Sequence, residues 1–391
     1  MRILLLAPFD LFPPVHGGSA VVHNYLKSAA QEHHVTALLS HLYSQGGAPD
    51  VAGPNVTIRY CRSSLFDRLR VLSFLVNPHY FRAAEAAFDT CEADVVQCEI
   101  LWTMAAGWRI KKQHGVPLVW IAHNVEAAKY AEMGAPSLLL RLIRKVEGDA
   151  CRRADHIIAL SQADRQQLIS LYGVSADRIS VIMPGPDLDE FRFDATVRGE
   201  TRARLGLGPH DPLVTFVGNL RYAPNQEAVR NLAEAVYPAV MSQHPEARFV
   251  VIGQGQEQMS QWTRDRLTFT GYLSQDQLVA HLCATDVFAV PVEKGSGIRV
   301  KIPEATAVGC PVVVTEKAAA GLEMFAADEL WRTPDARGTF AEAVLKLLAD
   351  PEGRRQMGAR AQARTQRDLS WAAILKSYEA AYLRAREAAS P

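Results

Sequence analysis

The stretch EKGSGIRVKIPEATAVGCPVVVT, residues 293–315, directly follows the apolar run FAVPV and itself closes on another, PVVVT. FAVPV reads as a strand, being rich in residues that suit a pleated, half-buried surface. Gly295-Ser296-Gly297 then lets the chain turn tightly and brings backbone N–H groups close to a ligand. A helix is predicted from near Val300 to Gly309, with Pro303 tolerated because it falls in the first turn. Strand, glycine loop, helix and strand in that order specify an α/β domain whose loop lies at the ligand-binding edge of a parallel sheet.

The polar residues of the stretch admit two readings. A helix N-terminus exposes unpaired N–H groups and about half a positive charge, and Arg299 and Lys301 add two full charges beside it, which together suit an anion. Glu304 then needs a different partner, and vicinal ribose hydroxyls fit it because a carboxylate accepts two hydrogen bonds from a cis-diol. In the competing reading Glu304 only favours the helix N-terminus electrostatically, and Arg299 or Lys301 is a solvated surface charge.

The same grammar extends in both directions. Downstream of Leu213 the runs LVTFVGN, ARFVVIGQG and LTFTGYL precede the quoted stretch, and most of these strands meet glycine soon after they end. The first half carries RILLLAPF, HVTALLS, NVTIRYC, DVVQCE, PLVWIAHN, HIIALS and ISVIMPG, with helical patterns between them. One of these, QADRQQLISLYG, has Ser161 as its predicted N-cap and Gly173 as its stop. Alternation of apolar strands with helices implies two mostly parallel sheets covered on both faces. The charged, Gly- and Pro-containing DLDEFRFDATVRGETRARLGLGPHDP separates them. The expected division is 1–192, a linker and hinge at 193–210, 211–370, and a terminal helix at 371–391. The last fifty residues are helical in period, with a break at Pro351-Glu352-Gly353.

Composition narrows the partners. The 391 residues are 48% hydrophobic and carry 42 basic against 42 acidic side chains, so no overall field draws the chain to nucleic acid. RILLLAPF after Met1 lacks the shape of a signal peptide, and no apolar run reaches transmembrane length, so a cytoplasmic protein is expected. The six cysteines are scattered without CxxC or Cys/His clusters, which predicts free thiols and no metal site. Gly253-Gln254-Gly255 lacks the third glycine of a dinucleotide fingerprint, so NAD is not expected. Two stretches, 63–83 with Arg68, Arg70 and Arg82, and LLLRLIRKVEGDACRRA with Arg141, Arg144 and Lys145, have the pattern of an interfacial membrane helix or of a wet surface face.

The run G-x-G-x-R-x-K-x-x-E followed by G-x-P-V-V resembles the nucleotide-sugar signature of the GT-B glycosyltransferases, specifically the retaining family 4. FDLFPPVHGGSAVVHNYL, HNVE, RADHIIALSQAD, ISVIMPGPDLDEF and TFVGNLRYAPNQEAV fall in that family's order, so the likeness spans nearly the whole chain. The resemblance implies two Rossmann-like domains with an interdomain cleft and a terminal helix that packs back on the first domain. It implies a nucleoside-diphosphate sugar as co-substrate, no cofactor and no required metal. The acceptor would be a glycan, lipid-linked or small molecule, with peripheral membrane contact possible. Glu304 would bind the ribose, Arg221 and Lys301 the diphosphate, with Arg299 a third cation; Ser296 and Gly297 would offer close backbone approach and Gly218 a tight turn.

Two departures mark this chain. The family's first glutamate of E-x7-E is here Ser296, with Glu293 three residues too early, and the lysine often found after the first-strand arginine is replaced by Pro224-Asn225. In the first half, Gly17 and Gly18 would bring backbone donors to the donor molecule, and His123 of HNVE would touch the sugar and acceptor. Glu99, Asp10 and His16 are further acceptor-side candidates. A sugar-nucleotide epimerase or phosphorylase, or a non-catalytic sugar-nucleotide-binding protein, would carry similar donor-site residues.

Overall fold

The apolar runs of the first half become the strands of one sheet. In the computed structural model, which describes residues 1–12, 14, 17–41, 51, 53–62, 74–295 and 300–389, these are β1 (Arg2–Leu6), β2 (His34–Leu39), β3 (Val56–Tyr60), β4 (Val95–Glu99), β5 (Leu118–Ala122), β6 (His156–Ala159) and β7 (Ile179–Val181). They pair in parallel in the order β3-β2-β1-β4-β5-β6-β7. Helices α1 (Gly17–Glu32), α2 (Pro78–Cys91), α3 (Met104–His114), α4 (Glu126–Glu132), α5 (Ser137–Arg153) and α6 (Gln162–Tyr172) make the crossovers. Because helices cover both faces, β4 and β5 are buried at every residue, including the full indole of Trp120. Ser161 caps α6 by accepting from Asp164 N–H, and Gly173 ends it in the left-handed region at φ 64°.

The second sheet contains β8 (Leu213–Val217), β9 (Arg248–Ile252), β10 (Leu267–Gly271), β11 (Val287–Val290), β12 (Val312–Thr315) and β13 (Trp331–Thr333), in the parallel order β10-β9-β8-β11-β12-β13. Its helices are α7 (Ala195–Arg204), α8 (Ala223–Asn231), α9 (Tyr237–Gln243), α10 (Gln275–Ala284), α11 (Lys301–Ala307), α12 (Gly338–Ala349) and α13 (Pro351–Asp368). The break at Pro351 is the junction of α12 and α13, with Pro351 in the first turn where its missing N–H costs nothing.

By contacts the chain forms two units, Met1–Pro184 with Trp371–Pro391, and Gly185–Ser370. The terminal helix, Trp371–Ala389, therefore belongs with the first unit, where its buried Tyr378, Ala381, Tyr382 and Ala385 face the core beside α1, β5 and β6. The expectation of a linker at 193–210 is corrected. Asp194 caps α7 by accepting from Thr196 and Val197 N–H. Arg198 and Arg202 reach the buried Asp286 at 2.7 and 2.9 Å and also bond the carbonyls that end α10. The charge that resembled a solvated linker is a hydrogen-bonded polar hub fastening α7 to the second unit.

Among the described residues no helix is long and apolar enough to cross a membrane. Arg82, Arg141, Arg144 and Lys145 are exposed on α2 and α5, while Arg68 and Arg70 lie outside the described residues.

Candidate functional site

In each sheet the strand order reverses between two neighbours, β1 and β4 in the first and β8 and β11 in the second. Crossovers leave such a point in opposite directions, which opens a crevice beyond the carboxyl ends of those two strands. In the second unit the segments leaving that point carry Arg221 after β8 and the glycine loop with α11 after β11.

The loop after β8 is held by its neighbours. Gly218 N–H donates to Ile252 O at 2.8 Å, Leu220 N–H to Gln254 O at 2.7 Å, and Gly253 N–H to Gly271 O at 2.9 Å, so the ends of β8, β9 and β10 are tied together. Gly218 does not lie in the left-handed region, and its lack of a side chain leaves room for its neighbours. A Cβ there would lie 2.9 Å from both Asn225 Cγ and the Phe216 ring. Asn225 of the Pro224-Asn225 pair donates to Asn219 O at 2.9 Å, and Asn219 Oδ1 accepts from Arg221 N–H at 3.0 Å. The Arg221 side chain emerges 62% exposed, with Glu257 at 3.7 Å.

The GQG sequence set aside as a nucleotide fingerprint makes this close approach possible. Gly253 has φ 144° and a Cβ on it would fall 1.8 Å from Gly218 O, while Gly255 has φ 93° and a Cβ on it would fall 2.9 Å from Arg221 Cγ and N. Gly253→Ala should therefore destabilise the fold by about 2–4 kcal/mol, combining backbone strain with overpacking. Urea unfolding with an unchanged m-value checks this; a loss under about 0.5 kcal/mol would refute the clash.

On α11, Lys301 is the first residue and Glu304 lies three residues on, hence on the same face. Removal from water pushes the Glu304 carboxyl up to about 7, the Lys301 charge pulling it down and Glu190 pushing it further up. The seven-residue helix has Val300 at its N-cap and all of Ile302, Pro303 and Ala305 to Ala307 buried, with Gly309 at φ 79° beyond its end. Glu293, the displaced candidate for the first glutamate, accepts from Ala336 N–H at 3.1 Å and so serves the fold. Ser296, Gly297 and Arg299 lie outside the described residues.

In the first unit, Gly17 and Gly18 open α1, and His123 follows β5. His123 Nε2 and Glu99 Oε2, at the end of the adjacent strand β4, are 2.7 Å apart, both residues buried. Asp10 Oδ1 accepts from Leu11 and Phe12 N–H and, at 2.9 Å, from the Tyr60 hydroxyl, so this carboxylate shapes its own loop. The backbone just after His123 is fixed by Glu147, which accepts from Glu126 N–H at 2.6 Å and Ala127 N–H at 3.1 Å. His16 lies outside the described residues.

These residues fall within recognisable matches. Residues 15–190 match the family described as Glycosyltransferase Family 4, and residues 211–350 the family described as Glycosyl transferases group 1. A D-inositol 3-phosphate glycosyltransferase from Mycolicibacterium smegmatis is 30% identical over 319 residues, covering 77% of this chain and 70% of the relative. The chain belongs to glycosyltransferase family 4. Its fold is that of GT-B enzymes: it matches sucrose-phosphate synthase from Thermosynechococcus elongatus at TM-score 0.77 and 22% identity, over 100% of each chain. It also matches HepE from Anabaena, solved in complex with UDP, at TM-score 0.73 and 19% identity, over 97% of this chain and 98% of that one.

Several groups that shape the glycosyltransferase's candidate sites escaped the sequence reading. Glu147 and Asn225 act on backbone atoms, which no motif announces. Gln97 was visible as a polar residue two positions before Glu99 in an otherwise apolar strand, and that i,i+2 spacing puts both on one face of β4.

Proposed function

We propose that this glycosyltransferase moves a hexosyl group from a nucleoside-diphosphate sugar to an acceptor hydroxyl with retention of anomeric configuration. The observation that carries the reading is the pairing, on one face of α11, of the Lys301 cation with a carboxyl whose charge is only weakly held. Ribose hydroxyls donating to Glu304 favour its ionised form, and the diphosphate is matched by Lys301 and Arg221. As the anomeric bond breaks, charge grows on the leaving phosphate, and positioned cations stabilise that change most strongly. The reading assigns that work to side chains and needs no metal, so transfer continues undiminished in chelator.

His123 offers a ring nitrogen to a sugar or acceptor hydroxyl. No enzyme carboxylate is required as a nucleophile, since the leaving phosphate can guide same-face attack. The acceptor is a hydroxyl of a glycan, lipid-linked or small molecule; the M. smegmatis relative is named for an inositol phosphate acceptor, which makes polyol phosphates the first to test.

Thermal stabilisation by UDP, GDP, ADP, dTDP and their hexose conjugates tests the donor. One nucleotide series should stabilise selectively, by about 2.7 kcal/mol at one hundred times its dissociation constant. The chosen donor incubated with inositol phosphates and glycans should then yield a product whose anomeric configuration, read by NMR, equals the donor's. No shift with any nucleotide, or an inverted product, overturns the reading.

A further inference from the structure

The His123–Glu99 contact is one end of a buried chain of hydrogen bonds inside the first unit. Gln97 Nε2 donates to Glu99 Oε1 at 2.5 Å, the Tyr382 hydroxyl of the terminal helix donates to Gln97 Oε1, and the Tyr25 hydroxyl of α1 lies 2.6 Å from that of Tyr382. All five residues are buried. The direction of every proton follows from chemistry. Gln97 Oε1 can only accept, so Tyr382 donates to it, and Tyr25 in turn donates to Tyr382. The Gln97 amide then points its N–H at Glu99. An ionised Glu99 is acceptor-only, so the Nε2 of His123 must carry the hydrogen that faces it. The other ring nitrogen, Nδ1, has no hydrogen bond among the described residues.

We propose that Glu99 is a positioning residue: supported by Gln97, Tyr382 and Tyr25, it locks His123 in the Nε2–H tautomer and so presents Nδ1 as an acceptor for a substrate hydroxyl. This deepens the glycosyl-transfer reading and rests on it for the identity of the substrate. It also gives the terminal helix a chemical role besides its packing, because one link of the chain is Tyr382. Partial loss of such a network leaves a buried polar atom unpaired, which is why its members act together.

The test combines a spectroscopic and a kinetic readout on the full chain. In wild type, 15N NMR of the histidine rings, with His123→Gln to assign the signal, should show the Nε2–H tautomer at position 123. In Glu99→Gln the new amide faces both an N–H of Gln97 and the ring, so one oxygen cannot serve both, and the Nδ1–H form should appear. With UDP-glucose or the donor selected by thermal shift, Glu99→Gln should lower kcat by about 10–100-fold with donor KM changed less than about twofold. Tyr382→Phe keeps the packed ring and should lower kcat about 3–10-fold with the same pattern.

If Glu99 acts through His123, the double variant Glu99→Gln, His123→Ala should be no slower than His123→Ala alone. An Nδ1–H tautomer in wild type, an unchanged tautomer in Glu99→Gln, or additive losses in the double variant would overturn the proposal. A wild type that shows the Nε2–H signature and its switch but transfers no sugar would instead sink the functional reading and leave the positioning chain standing. Should Glu99→Gln fail to fold, Tyr382→Phe decides by the kcat criterion: no loss of kcat, or a loss confined to donor KM, overturns the proposal.

Discussion

Lys301→Ala is expected to lower kcat for sugar transfer by about 10²–10³-fold while changing donor KM much less. The asymmetry follows from when the charge appears. A diphosphate bound as its sugar ester carries less charge on the bridging oxygen than the departing diphosphate does, so a cation there interacts more strongly with the transition state than with the ground state. Lys301 is the first residue of α11 and partly buried, where solvent screens its charge incompletely. Arg221 is the contrast. At 62% exposure and with Glu257 at 3.7 Å, its contribution is weakened by solvent and by the neighbouring carboxylate, and Arg221→Ala should lose only about tenfold. Steady-state kinetics of both variants checks the order. A Lys301→Ala effect confined to KM would show that the lysine binds substrate and transition state alike.

Glu304→Ala should weaken binding of the nucleotide sugar selected by thermal shift by about 100-fold, the loss of two hydrogen bonds to a charged acceptor at roughly 1.5 kcal/mol each. The pH dependence gives the residue a signature. With the free carboxyl pushed up to about 7, the ionised form that accepts both ribose hydroxyls is complete only above that pH. Affinity for that nucleotide sugar, whose diphosphate ester has no titration near neutrality, should rise through pH 7 and level off beyond it, with a proton released on binding below. Glu304→Gln should remove that slope.

For the unliganded fold the sign is opposite. A carboxyl raised above its ordinary 4.5 favours the folded state fully below that value, and this contribution disappears as pH rises through about 7. Calorimetry at pH 6, 7 and 8 on wild type and Glu304→Gln reads the binding slope; parallel profiles would remove Glu304 from the ribose site.

Much of this architecture was written in local patterns. Each run read as a strand is one, because a β-branched run bounded by glycine, proline or a helix cap has few alternatives in a parallel sheet. Lys301 and Glu304 were legible because their spacing on a short helix after a strand fixes one shared face. What sequence could not show were the effects of tertiary partners. Arg198 and Arg202 read as linker until Asp286 supplied their counter-charge from 88 and 84 residues away. The three-residue β13 is too short to carry a period. Gly253 and Gly255 looked like half of a fingerprint, whereas their φ values and the Gly218 carbonyl explain them by close backbone approach. The positioning chain joins residues 25, 97, 99, 123 and 382, and only the folded first unit brings them together.

The central claim is that α11 holds a nucleotide by its ribose and diphosphate, and a crystal structure of the chain with the nucleoside diphosphate selected by thermal shift tests it most directly. The account predicts the ribose hydroxyls within hydrogen-bond distance of both Glu304 carboxylate oxygens and the diphosphate against Lys301 Nζ. That nucleotide bound elsewhere, or at this helix with Glu304 turned away from the ribose, would contradict it.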